Sequence, residues 1–180
     1  RVPVYAMPRM AGFLRDNGPW SQLVSLENIA LVELAGDVAV SLDRLTVTPF
    51  VVPHRDEFSE TVGYRVEGPS SSLVWLPDID KWEKWDRPLE AVLSEVDVAL
   101  LDGTFYGPAE LPGRDMSRVP HPFIVETLER IAPLPREERE KVIFTPLNPS
   151  NPAADPESDA AAAVRAAGAA VLDDGDRIAL

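Results

Sequence analysis

Cysteine is absent from the 180-residue chain, which excludes disulfides, thiolate nucleophiles and cysteine-ligated metal sites. Compartment stays open between bacterial cytoplasm and periplasm, because a cysteine-free chain folds equally well in either. No apolar run approaches the roughly 20 residues that span a bilayer, so no membrane partner is expected. Basic residues are few: 17 Lys and Arg stand against 30 Asp and Glu, for a net charge of −13. No basic stripe exists to neutralise a phosphate backbone, so no nucleic-acid partner is expected either. Glycine-rich phosphate loops, Gly-x-Ser-x-Gly elbows and His-x-x-x-His pairs are all missing. Arg1–Val4 is not a secretory signal, which would need a longer apolar stretch after its basic start.

What remains is the composition of a globular protein. Apolar residues are 45% and charged residues 26%, a balance that can bury a core rather than stay disordered. The length suits one domain, 1–180, and no repeat or linker divides it.

The order of elements reads as α/β. Val2–Ala6 and Ile29–Leu34 suit strands, with a helix opening at Pro8 and closing at Asn17-Gly18 between them. Val38–Leu42 and Leu45–Val52 flank a turn at Asp43-Arg44, and Thr61–Val66 with Ser72–Leu76 form a hairpin. Asp78–Trp85 and Pro88–Val96 read as helices and Asp97–Leu101 as a buried strand. Tyr106–Pro120 is a long Pro/Gly loop, a length that in compact domains often carries function. Phe123, Ile124, Thr127, Leu128 and Ile131 share one helical face, and Lys141–Thr145 is a strand. Ser158 caps an alanine-rich helix, and Val171–Leu172 with Arg177–Leu180 close as a hairpin around Asp174-Gly175.

The only two histidines are His54 and His121, and histidine is the usual metal ligand and proton shuttle near neutral pH. His54 stands where the strand ending at Val52 gives way to a polar loop, a rigid place for a ligand; a solvated loop histidine is the plain alternative. Asp78 follows the strand Ser72–Leu76, where open α/β sheets place their ligands. Asp80 is better read as capping the helix after it. Asp102 repeats the strand-end position after Val98–Leu101. His121, held between Pro120 and Pro122, is either an acid/base group on a fixed backbone or packed by its prolines. On their own these residues point to a metal or acid/base site at strand carboxyl ends.

Longer stretches carry a resemblance. His54–Val66 resembles the segment of metallo-β-lactamase-fold proteins where a histidine ligand precedes a strand pair. Pro77–Trp82, Asp97–Tyr106, Gly113–Ser117 and Pro120–Glu126 resemble one branch of that fold, the pyrroloquinoline quinone biosynthesis protein B family and its non-biosynthetic relatives. The resemblance implies an αββα sandwich with zinc or iron along one edge of its two sheets. It implies metal ligation by His54 and Asp78. It implies that Asp102 and His121 act around the site in proton transfer or ligand orientation. The implied activity is metal-dependent oxidation of a peptide-derived quinone precursor, or hydrolysis of a small-molecule or peptide substrate by a related metallo-hydrolase.

Two departures qualify the resemblance. The family's histidine-rich ligand motif lies upstream of what matches Arg1–Tyr5, so the chain is expected to be the carboxyl-terminal part of a longer protein. The family's Leu-Asn-His-Thr-Asn-Pro segment stands here as Leu147–Pro152, with Pro149 in the histidine's place and Pro146 where a histidine is common. Proline offers no side-chain donor, so the family's two-metal site cannot form as the family builds it, and weak or absent metal binding is expected of this chain. The same replacements support an alternative reading, a non-catalytic carrier that kept the fold. An incomplete sheet would expose an apolar edge, so self-association as a homo-oligomer is expected as well.

Overall fold

A computed structural model describes Arg1–Leu180. It holds nine strands: β1 (Val2–Ala6), β2 (Ile29–Glu33), β3 (Val40–Leu42), β4 (Leu45–Val51), β5 (Val62–Glu67), β6 (Ser72–Leu76), β7 (Val98–Leu101), β8 (Val142–Phe144) and β9 (Ala170–Val171). Six α-helices accompany them: α1 (Pro8–Asp16), α2 (Trp20–Ser25), α3 (Leu89–Ser94), α4 (Ile124–Ile131), α5 (Arg136–Arg139) and α6 (Asp159–Ala166). Strands β1 and β2 pair in parallel as a small sheet that carries α1 and α2. The other seven form one sheet in chain order from β3 to β9.

Register in the large sheet fixes where the functional residues fall. β5 runs antiparallel to both β4 and β6, whereas β6, β7, β8 and β9 run parallel. The carboxyl ends of β4, β6, β7 and β8 therefore share one edge. His54, Asp78, Asp102 and the Leu147–Pro152 turn all follow those ends.

The core lies on one face of this sheet. Alternation sends Val74 and Leu76, Ala99 and Leu101, and Val142 and Phe144 to that face. Leu89 and Leu93 of α3, Ile124 and Ile131 of α4, and Val164 of α6 cover it. On α4 the buried Ile124, Thr127 and Ile131 recur at helical spacing. The Ser158 hydroxyl accepts from the Ala161 amide at 3.0 Å and starts α6. Gly63 has a packing reason: a Cβ there would lie 2.5 Å from the Phe50 ring.

Four stretches differ from the sequence reading. Asp78–Trp85 forms only a single 3-10 turn, Trp82–Lys84. The Ile79 amide donates to the Asp102 carboxylate at 3.2 Å and the Asp80 amide to the Pro53 carbonyl at 2.7 Å, which ties this backbone to neighbouring strand ends instead of a helical ladder. Arg177–Leu180 forms no strand; β9 pairs in parallel with β8 instead of folding back on the terminus. Trp20–Ser25 and Arg136–Arg139 are short helices that the pattern did not announce.

Candidate metal centre

Side chains from three strand ends and one loop converge. His54 extends from the turn after β4, and its Nε2 lies 3.9 Å from Oδ1 of Asp78, which follows β6. His121 reaches the same point from the loop before α4, its ring centroid 4.8 Å from that of His54. One donor atom from each of His54, Asp78 and His121 fits within 4.8 Å of the others. That spacing suits a single divalent ion held by two imidazoles and a carboxylate.

Both rings are turned by carboxylates behind them. Asp102 Oδ2 lies 2.6 Å from His121 Nδ1, and Asp80 Oδ1 lies 3.2 Å from His54 Nδ1. A carboxylate only accepts, so each Nδ1 carries a proton, and in the neutral imidazole Nε2 is then the nitrogen with the lone pair. Asp102 has no exposed surface; it also accepts from the amides of Ile79 at 3.2 Å and Thr104 at 3.0 Å. Gly103 permits that approach, since a Cβ there would lie 2.8 Å from Cβ of Phe144. Burial opposes charge on His121, but the hydrogen bond and charge of Asp102, with the charges of Asp78 and Asp80, outweigh it and raise its pKa above the usual histidine value.

Asp80 is the residue that the sequence reading placed wrongly. It caps nothing, for the 3-10 turn after it has no side-chain cap. Its carboxylate is shared between His54 Nδ1 and the Lys84 ammonium, the latter at 2.7 Å. The signal was its spacing: in an extended segment, residues 78 and 80 point the same way. His121, to which the resemblance gave a part in proton transfer or ligand orientation, brings a third possible donor atom to His54 and Asp78, while Asp102 lies behind it on Nδ1. Pro149 and Pro146 add nothing to the cluster.

The site opens into solvent. A cleft of about 520 Å³ runs past His54 and Asp80 toward Lys84, Trp85 and Arg87. A second, of about 400 Å³, is lined by His54, Arg55, Asp56, Glu57, Asp80, Arg118 and Pro120. A substrate therefore has room beside the donor cluster.

Residues 1–145 match the family described as the beta-lactamase superfamily domain. No curated protein matches the chain. Zinc-bound PqqB from Methylobacterium extorquens superposes with a TM-score of 0.78 at 21% identity, over 99% of this chain and 64% of that one. YhfI from Bacillus subtilis, a metallo-β-lactamase-fold protein, gives a TM-score of 0.59 at 11% identity, over 97% of this chain and 63% of its own. A diphosphatase from the PhnP family gives 0.58 at 17% identity, over 97% and 56%. At these identities the likeness is one of fold, and the chain spans less than two thirds of each of these structures.

Proposed function

The chain belongs to the beta-lactamase superfamily, and from that footing we propose that it serves a metal-dependent enzyme in which His54, Asp78 and His121 hold one catalytic ion. The observation that carries this reading is the pairing of each histidine with a carboxylate on its Nδ1, which leaves each Nε2 for an ion, that of His54 3.9 Å from Asp78 Oδ1. A surface histidine needs no such support, whereas ligating histidines almost always have it.

Zinc or iron bound there supplies Lewis acidity and a nucleophile that is active at neutral pH. The chain's own residues do the positioning. Asp102 fixes the tautomer and ring plane of His121, and Asp80 does the same for His54. An ion held by these three protein donors would keep room for a water or substrate ligand, as a catalytic site requires. The substrate class is a small molecule or peptide, and hydrolysis is the reaction we favour. A neighbour described as a diphosphatase and another bound to zinc support that choice.

Two observations favour other readings. Two histidines and one carboxylate are also the donor set of non-haem iron oxygenases, which suits oxidation of a peptide-derived quinone precursor. Pro149 and Pro146, standing where the resemblance implies histidines, favour a carrier without catalysis. Metal analysis of the protein as purified, followed by a phosphoester and ester hydrolysis panel on the zinc-loaded chain, decides among them. Hydrolysis that is lost in His54→Ala and His121→Ala supports the proposal. Iron content with oxygen consumption favours the oxygenase, and binding without turnover favours the carrier.

A further inference from the structure

The smaller cleft has a charge balance of its own. Its three carboxylates each have a cation: Arg9 lies 3.7 Å from Asp56, Arg55 3.1 Å from Glu57, and Lys84 2.7 Å from Asp80. Arg118 lines the same cleft beside His54, is exposed, and makes no ion pair and no side-chain hydrogen bond. Hydrophobic side chains are missing from the lining. The protein as a whole carries −13, so its long-range field repels anions. An unpaired guanidinium beside the donor cluster is the local exception.

We propose that Arg118 is a specificity-determining residue that seats an oxyanion group of the substrate, phosphoryl or carboxylate, in the cleft beside His54. Its planar fork of N–H donors matches two oxygens at once, and the surrounding carboxylates are already neutralised and do not compete for it. Arg118 closes the 3-10 turn Met116–Arg118, whose Asp115 carboxylate accepts from the Ser117 amide at 3.1 Å, so the side chain springs from ordered backbone. The inference rests on the metal reading only for where the reacting bond would lie; the anion seat stands on Arg118 itself.

The test is calorimetric titration of the full chain, metal-free and zinc-loaded, with phenylphosphonate, benzoate and neutral benzamide. At least one anion is expected to bind tenfold or more tightly than benzamide. Arg118→Gln is expected to abolish that preference and Arg118→Lys to restore part of it. The tighter anion identifies the group as phosphoryl or carboxylate. Equal binding of the three probes, no binding of any, or an anion preference that survives in Arg118→Gln overturns the proposal. Should zinc fail to bind, the metal reading falls alone, and the Arg118 dependence in the metal-free chain still decides this one.

Discussion

Asp102 is the most constrained polar residue of the site. It is fully buried, and its two oxygens serve the Ile79 amide, the Thr104 amide and His121 Nδ1. Removing such an acceptor strands buried donors at about 1–3 kcal/mol each. Asp102→Ala is accordingly expected to lower stability by roughly 2–5 kcal/mol in urea denaturation. Asp102→Asn, which keeps the shape, is expected to cost less than Asp102→Ala yet to weaken zinc binding about 10–100-fold, the usual cost of losing a ligand's supporting carboxylate. Unchanged zinc affinity in Asp102→Asn would show that the aspartate is structural only. Asp80→Asn is expected to act on His54 in the same direction and less strongly, because its hydrogen bond is longer, 3.2 against 2.6 Å.

Helices α3 and α4 are joined across the core surface by a two-pronged ion pair: Arg130 Nε donates to Glu90 Oε1 at 2.8 Å and Nη2 to Oε2 at 3.1 Å. The Arg130 hydrogen bond holds the Glu90 carboxyl below its usual pKa. A depressed carboxylate contributes stability above its unfolded pKa, near 4.3, and that contribution is lost as pH falls through the folded value. Glu90→Gln is thus expected to reduce stability at pH 7 by less than about 1 kcal/mol, since the pair is partly solvated, and the difference from wild type is expected to vanish in acid. A difference that persists well below the carboxylate range would mean that packing, not charge, joins the helices. Elements with a clear pattern were legible in the sequence: β7 is an unbroken apolar run and α4 repeats at three and four. Val2–Ala6 and Ile29–Leu34, the latter one residue too long, were also found, though not their pairing in parallel. Asp78–Trp85 was misread because its helical composition is overridden by bonds to Asp102 and Pro53, partners that lie 23 and 27 residues away along the chain and that no local pattern reveals.

Across the whole molecule, the large sheet has one covered face and one half-open face. Trp75 is 47% exposed on the open side, its ring tilted against that of Tyr64 at 6.3 Å between centroids. Exposed Val2, Leu26 and Phe58 add apolar surface elsewhere. Surfaces of this kind favour association. Sedimentation velocity is expected to show concentration-dependent self-association, reduced in Trp75→Ser; a monomer at all concentrations would contradict it. The site was half legible at this scale. Strand-end positions singled out His54, Asp78 and Asp102, because a parallel sheet gathers such ends at one edge. The part played by Asp80 was readable only from the extended run between β6 and the 3-10 turn, where 78 and 80 share a side, and the arrival of His121 at the cluster depended on the path of the Tyr106–Pro120 loop, which has no period to read. Calorimetric titration of the metal-free chain with zinc tests the central claim most directly. One ion per chain is predicted, in place of the weak or absent binding that Pro149 and Pro146 led the sequence reading to expect, with affinity reduced at least tenfold in each of His54→Ala, Asp78→Ala and His121→Ala. No binding, two ions per chain, or undiminished binding in His121→Ala would contradict it.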